Sequence, residues 1–177
     1  MIDLTLIIPA KNESESLPIV LESLKNISCK IIVSLPKDDL LTFNSIKEFD
    51  VQIIKQKENG YGSALIEGIE NCKTKYFCIF NADGSFNPRE LKKMKNLLIK
   101  RKHEFIFASR YEKNCSSEDD TIITSIGNYF FTKLGNIFFR LSISDILYTY
   151  VLGKTKSAQK LNLIEKKFGF CVELPIK

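Results

Sequence analysis

The chain has 177 residues, 44% of them hydrophobic and 27% charged, and its 26 Lys and Arg outnumber 21 Asp and Glu for a formal charge of +5. This is ordinary globular composition, long enough for one domain with a sizeable core. It excludes a disulfide framework and a zinc site: five scattered cysteines, Cys29, Cys72, Cys78, Cys115 and Cys171, and a single histidine, His103, have no metal-ligand spacing.

The elements alternate. Leu4-Thr5-Leu6-Ile7-Ile8-Pro9 reads as a short buried strand, and Ser16 to Leu24 has apolar residues at helical spacing with Pro18 in its first turn. Lys30-Ile31-Ile32-Val33 is a second strand. A short helix carrying Ile46 and Phe49 leads to a third, Val51-Gln52-Ile53-Ile54. A helix over Gly62 to Ile69 precedes the strand Tyr76-Phe77-Cys78-Ile79-Phe80. Asn87-Pro88-Arg89-Glu90 then supplies a cap, a proline at the first helical position and an acid at the third, with Leu91, Met94, Leu97 and Leu98 as the buried stripe. Phe105-Ile106-Phe107-Ala108-Ser109 is another strand. Strands separated by helices of this length predict a parallel or mixed sheet covered on both faces.

Beyond the polar stretch from Cys115 to Asp120 the texture changes. Thr124 to Ile143 is a Phe-rich helix whose apolar residues cover much of its circumference. Burial against the sheet is the preferred reading, and contact with lipid through the Phe side chains is the alternative. The ending, Cys171-Val172-Glu173-Leu174-Pro175-Ile176-Lys177, looks like a strand cut off without a closing helix, so the single domain over 1–177 reads as truncated.

The basic residues cluster at Lys92-Lys93, Lys95, Lys100-Arg101-Lys102 and Lys166-Lys167. Each cluster is read as a solvated helix face, with weak attraction to anionic lipid or substrate as the functional alternative. No nucleic-acid reader motif accompanies the charge, so no nucleic-acid partner is expected. The start, Met1-Ile2-Asp3-Leu4, lacks the basic region of a signal peptide, and no apolar run reaches about 18 residues. Thiols then fit a reducing compartment. The expected location is cytoplasmic, with peripheral contact at the cytoplasmic face of a membrane.

Four features end strands with chemistry. Ile8-Pro9-Ala10-Lys11-Asn12-Glu13 brings polar groups to the first strand's exit, where Glu13 can accept hydrogen bonds from a base or ribose, or simply complement a helix dipole. Asn59-Gly60-Tyr61-Gly62-Ser63-Ala64-Leu65 is a glycine-containing turn into a helix, whose amides suit an anion, although it is not G-x-G-x-x-G. Asn81-Ala82-Asp83-Gly84-Ser85 delivers a carboxylate to a strand end, where open α/β sheets bind ligands and where a carboxylate can hold a divalent cation on a diphosphate. Its plain alternative is a capped strand-to-helix turn. Ala108-Ser109-Arg110-Tyr111 places a guanidinium to grip a phosphate or sugar, or to form a surface ion pair.

In this order, together with Gly127-Asn128 and Ser144-Asp145, these motifs resemble glycosyltransferase family 2, and most closely its dolichyl- or polyprenyl-phosphate sugar synthase branch. The resemblance covers nearly the whole chain. It implies an α/β GT-A-like nucleotide-diphospho-sugar transferase fold, with a mostly parallel central sheet flanked by helices. It also implies inverting transfer from a UDP- or GDP-linked sugar with Mg²⁺ or Mn²⁺, to a polyprenyl phosphate. Carried onto this sequence, Asp83 and Arg110 are the catalytic candidates, and Asp83, Asn81 and Ser85 the metal candidates. Pro9, Ala10, Asn12, Glu13, Asp38, Gly60, Gly62, Ala82 and Asp83 would hold the nucleotide sugar. Arg110, Tyr111, Asn128 and Asp145 would form the acceptor region.

The chain departs from the family pattern twice. Asn81 stands where the first of two aspartates is usual, which removes one negative charge from the metal site. After the second strand, Ser34 and Leu35 stand where a base-contacting aspartate is usual, leaving Asp38 or Asp39 to substitute if the loop folds back. A lipid phosphate acceptor, already anionic, needs no general base. A hydroxyl acceptor needs one, with Asp119, Asp120 or Asp145 as candidates. The alternatives are a family 2 transferase acting on a saccharide or protein hydroxyl, and a catalytically weakened nucleotide-binding domain.

Overall fold

The computed structural model describes residues 2–111 and 122–177. Strands β1 (Leu4–Pro9), β2 (Lys30–Leu35), β3 (Gln52–Lys55) and β4 (Tyr76–Ile79) alternate with helices α1 (Ser16–Leu24), α2 (Leu40–Ile46) and α3 (Tyr61–Asn71). Then follow α4 (Glu90–Arg101), β5 (Phe105–Phe107), α5 (Ile122–Phe139), β6 (Val151–Lys154), α6 (Thr155–Lys160) and α7 (Phe170–Ile176). The strands form one mixed sheet in the order β3-β2-β1-β4-β6-β5. β1 to β4 are parallel, while β6 runs antiparallel between β4 and β5, pairing Phe77 and Phe105 with Gly153.

The strands are near-continuous apolar runs because both faces are covered. On one face Leu4, Leu6 and Ile8 of β1 meet Leu17 and Leu21 of α1, Ile46 of α2, and Leu91, Met94 and Leu98 of α4. On the other, Ile7 meets Leu65 and Ile69 of α3, Ala158 of α6, and Phe170 and Leu174 of α7. Burying a Leu or Ile side chain contributes about 1.5–3 kcal/mol, and these two layers hold the sheet.

Several sequence expectations change. The last segment is helix α7, not a strand, and Phe170, Cys171 and Leu174 pack into the core. Strand β6 was not anticipated. Leu97 of α4 stays exposed. Asn87 does not cap α4 directly; its Oδ1 accepts from the Arg89 amide at 3.0 Å and turns the chain into a helix that starts at Glu90. Phe49 lies beyond α2.

Helix α5 ends at Phe139, short of Ile143, and reverses the expected burial. Its inward residues are polar or small, Asn128, Thr132 and Gly135. Thr132 Oγ1 accepts from the Ile146 amide at 3.2 Å, and Asn136 exchanges two hydrogen bonds with the Ile143 backbone. Tyr129, Phe130, Phe131, Ile137, Phe138 and Phe139 face outward, with Phe138 73% exposed. The polar stripe holds the helix to the 143–146 segment, which leaves the aromatic residues on its outer side.

Candidate active site at the carboxyl end of the sheet

A cavity of about 710 Å³ opens where β1 to β4 end. Pro9, Ala10, Lys11 and Glu13 line it from β1, Pro36 from β2, and Gln56, Asn59 and Gly60 from β3. Tyr61 and Ala64 of α3 and Asn81, Ala82 and Asp83 after β4 continue the wall, closed by Leu147, Thr149, Lys167, Phe168 and Cys171.

The first two loops are tied together. The Asn12 amide donates to Asp39 Oδ2 at 2.7 Å, the Thr42 amide to Asp39 Oδ1 at 3.1 Å, and the Glu13 amide to Thr42 Oγ1 at 2.9 Å. Asp39 therefore caps α2 and braces the β1 loop, with Asn12 in the left-handed region. Partial desolvation would raise the Asp39 pKa, but these hydrogen bonds outweigh it and hold the carboxyl below its ordinary value. Among the described residues lining the cavity neither Asp38 nor Asp39 occurs, so the β2 loop folds back as a brace without bringing a carboxylate into the cavity. Asn12 likewise stays outside the lining. Glu13 reaches it while accepting a hydrogen bond from the Ser16 hydroxyl.

The glycines of the third loop serve close approach. A Cβ on Gly60, whose φ is +156°, would lie 2.1 Å from Lys166 O, and one on Gly62 would lie 2.0 Å from Glu165 O. The Ser63 amide donates to Lys166 O at 3.0 Å. The helix start expected to cradle an anion thus spends that amide on the 164–168 loop. Gly60 lines the cavity and Gly62 is buried behind it.

The turn after β4 is built on an aromatic box. Phe86 stacks on Tyr150 at 4.5 Å, Phe80 meets both rings edge-on, and the Tyr150 hydroxyl donates to Asn87 O at 2.7 Å. On this base the Ser85 amide donates to Asp83 Oδ1 at 2.9 Å, and Asn81 Nδ2 donates to Ser85 Oγ at 3.0 Å. These bonds leave Asn81 Oδ1 and Asp83 Oδ2 unused, and both residues line the cavity; Ser85 does not. Among the described residues no group of three or more His, Cys, Asp or Glu side chains could hold a metal. A divalent cation here would have one carboxylate and one carbonyl oxygen from the protein and would draw the rest from water and phosphate, a pattern that suits Mg²⁺ or Mn²⁺.

The expected acceptor residues come together beside this cavity but outside its lining. Arg110 grips Asp145 through Nε to Oδ2 at 2.9 Å and Nη2 to Oδ1 at 3.2 Å, and Asn128 Nδ2 donates to the same Oδ1 at 2.6 Å. The guanidinium also stacks near Tyr148 and Tyr111, at 5.2 and 5.4 Å from their ring centres. The Asp145 side chain is wholly buried and both its oxygens are engaged, so it fails as a general base. Asp119 and Asp120 lie outside the described residues.

Sequence reading missed the wall supplied by residues 147–171. The Tyr61 hydroxyl shares a 2.6 Å hydrogen bond with Thr149, and its ring stacks on Phe168 at 5.4 Å. Burial pushes the Tyr61 hydroxyl well above its ordinary pKa and the Cys171 thiol up to about 11, so both stay protonated at neutral pH. No sequence spacing links these distant segments to the cavity. Tyr61 alone had a signal, its place between the two glycines. Three buried side-chain atoms are without a hydrogen-bond partner among the described residues: Ser34 Oγ, Gln56 Oε1 and Asn128 Oδ1. Of these residues only Gln56 lines the cavity.

A mixed sheet with a ligand-sized cavity at its carboxyl edge and a strand-end carboxylate defines a GT-A-like α/β protein. The chain belongs to glycosyl transferase family 2, whose sequence model matches residues 5–161. Uncharacterized glycosyltransferases of Mycobacterium tuberculosis and Mycobacterium bovis are 30% identical over 91 residues, 51% of this chain and 41% of theirs. The chain thus spans less than half the length of the curated relatives it matches. The crystal structure of glucosyl-3-phosphoglycerate synthase from M. tuberculosis, in complex with Mn²⁺ and UDP-glucose, superposes with a TM-score of 0.72 at 14% identity, covering 97% of this chain and 62% of that one. Mannosyl-3-phosphoglycerate synthase from Rubrobacter xylanophilus gives 0.69 at 12% identity over 89% and 54%. At such identities the likeness is one of fold.

Proposed function

We propose that the protein transfers a sugar, with inversion, from a UDP- or GDP-linked donor to a polyprenyl phosphate. The observation that carries the donor half is the Asn81–Asp83 turn, whose two ligand residues line the cavity at the strand ends. Bound there, Mg²⁺ or Mn²⁺ would neutralise charge on the leaving diphosphate. Lys11 and Lys167 line the same cavity and add positive charge for it. An acceptor oxygen forms the new bond to C1 as the bond from C1 to the diphosphate oxygen breaks, and the electron pair leaves with the diphosphate.

The acceptor half rests on two features. Of the candidate bases the described residues contain only Asp145, whose carboxylate is bound by Arg110 and Asn128 and cannot deprotonate a hydroxyl, and an acceptor that is already an anion needs no base. The outward Phe and Tyr residues of α5 carry Lys133 and Arg140 with them and no acid over Gly127–Arg140, a combination suited to an anionic lipid surface. A lipid phosphate would then meet Arg110 at the membrane's cytoplasmic face. Among the described residues no helix is long and apolar enough to cross a membrane, so the contact proposed is peripheral.

A soluble phosphorylated acceptor is the second reading. It is favoured by the solved glucosyl-3-phosphoglycerate synthase, which has been crystallised with phosphoglyceric acid. Incubation with UDP- and GDP-sugars, Mn²⁺ and either polyprenyl phosphate or phosphoglycerate tests both. A mild-acid-labile lipid-linked sugar is the expected product. Transfer only to phosphoglycerate, or to a saccharide hydroxyl, replaces the lipid reading. Nucleotide binding without turnover on any acceptor marks a catalytically weakened binding domain.

A further inference from the structure

Resting on the peripheral membrane contact proposed above, we infer that the outer face of α4 is a second docking surface for the same anionic bilayer, binding by charge where α5 binds by apolar contact. Residues 89–102 hold seven of the 26 Lys and Arg and one of the 21 Asp and Glu. This helix with its two ends therefore supplies the whole formal charge of +5, and the rest of the chain is close to neutral.

The charge lies on one side. Leu91, Met94 and Leu98 turn to the core, and Lys95 is half-buried and pairs with Asp3 at 2.6 Å. Opposite them Arg89, Lys92, Lys93, Asn96, Leu97 and Lys100 line a shallow groove of about 390 Å³. From Arg89 to Lys100 the strip runs about 16 Å at ~1.5 Å per residue. Lys93 pairs with Glu90 at 3.3 Å; among the described residues Arg89, Lys92, Lys100, Arg101 and Lys102 have no carboxylate partner. Ordinary helix electrostatics explains only the far end. Lys100, Arg101 and Lys102 close the helix, where positive charge complements the dipole. Arg89, Lys92 and Lys93 are exposed at its start, where the dipole repels them, so neither packing nor the dipole accounts for them.

The chemistry of the face selects its occupant. The centre of a protein–protein interface is poor in Lys and rich in aromatic side chains, and single-stranded nucleic acid needs aromatic rings on which to stack its bases. Helix α4 has no aromatic residue. Its exposed apolar groups are Leu97 and Ile99, 39% and 49% exposed, on opposite flanks of the basic strip. A lysine-rich strip without an apolar centre suits a diffuse layer of mobile anions, which phospholipid headgroups provide. Helix α4 packs on β5 and β6, and the chain runs from β5 to Arg110, which Asp145 and Asn128 tie to α5. Both docking surfaces thus belong to the β5–β6 side of the sheet.

Sedimentation of the full chain with phosphatidylcholine vesicles, with and without phosphatidylglycerol, tests this. Native protein should bind the anionic vesicles more tightly than the neutral ones at low salt. A triple variant, Arg89→Gln with Lys92→Gln and Lys100→Gln, should bind anionic vesicles about a hundredfold more weakly, about fivefold for each residue, and lose most of its salt dependence. Its melting temperature and its affinity for UDP with Mn²⁺ should stay as in the native protein, since none of the three lines the donor cavity. Changing Lys30, Lys47 and Lys73 to Gln, exposed elsewhere, removes the same net charge and should cost less than about fivefold in total. Equal losses in the two triple variants, or native binding by the α4 variant, overturn the assignment; release by Phe138→Asp then leaves the α5 contact standing. Equal binding of native protein to neutral and anionic vesicles also overturns it. Native protein that binds neither vesicle overturns both contacts, and tight binding to RNA with none to vesicles reassigns the face to nucleic acid. Should the triple variant not fold, Lys92→Gln and Lys100→Gln singly, at about fivefold each, decide the same question.

Discussion

On the proposed reading Asp83 would have two roles, which two readouts of one substitution tell apart. Its Oδ1 holds the Ser85 amide, worth about 0.5–1.5 kcal/mol, and its Oδ2 is left for a cation. Asp83→Ala should therefore lower thermal stability only slightly while abolishing Mn²⁺-dependent nucleotide binding; calorimetry that finds binding intact in the folded variant removes the metal assignment. Asn81→Asp restores the second charge and should tighten Mn²⁺ binding about tenfold, since affinity follows ligand charge. Arg110 is a different case, because its planar fork is already engaged by a buried carboxylate. Arg110→Lys keeps the charge but cannot hold both Asp145 oxygens, and breaking a buried pair outright costs about 3–5 kcal/mol. A loss of about 1–3 kcal/mol in thermal unfolding is expected, the range for a buried polar group left unsatisfied. If the residue also steadies phosphate in the transition state, kcat should fall more than KM rises. Unchanged stability and kinetics would show that neither the fold nor turnover depends on the guanidinium fork.

At the scale of elements, the 164–168 loop shows how a cavity wall is assembled from segments far apart in sequence. Buried Glu173 of α7 accepts from the Ile164 amide at 3.0 Å and the Glu165 amide at 2.8 Å, and Lys177 pairs with it at 2.8 Å. Desolvation opposes its ionisation, but the bonds from Lys177 and the two amides prevail and lower its pKa. A lowered folded value means that the stabilisation is complete above the ordinary carboxylate range and is lost as pH falls through that lower value. Glu173→Gln should lose about 1–3 kcal/mol at neutral pH, weaken donor binding through the loosened loop, and flatten the acid limb of the melting-temperature profile relative to the native protein. An acid limb identical in the two proteins would show that Glu173 does not pin the loop. This architecture was only partly legible beforehand. The four parallel strands and their helices announced themselves through apolar runs and helical spacing, because each is buried on the faces its pattern implies. β6 and α7 did not, since runs as short as Val151–Lys154 and Phe170–Ile176 carry no periodicity that separates strand from helix. Pairing of β6 with both β4 and β5, and packing of α7 on α3, decided them.

For the molecule as a whole, the convergence of the motif residues Asn81, Asp83, Glu13 and Gly60 on one cavity was legible because strand ends converge in this topology. Thr149, Lys167 and Phe168 were not, because their places depend on how the chain after β5 folds back over the strand ends. The same dependence inverted α5. Its composition read as core, yet Asn128, Thr132 and Asn136 bond inward and turn the aromatic residues out. On the proposed membrane reading these six exposed side chains would meet lipid, with Lys133, placed 5.5 Å from the Tyr129 ring centre, and Arg140 favouring anionic headgroups. Weak, reversible, salt-sensitive sedimentation with anionic liposomes is the expected outcome. Because Phe138 and Phe139 are both exposed, Phe138→Asp and Phe139→Asp should each leave the melting temperature nearly unchanged while abolishing sedimentation. Lys133→Glu should weaken sedimentation at low salt and matter less at high salt, where headgroup attraction is screened. Unfolding of both Phe variants would return the helix to the core. Native protein that never sediments at low salt would remove the membrane from the acceptor reading and leave the soluble phosphorylated acceptor in its place.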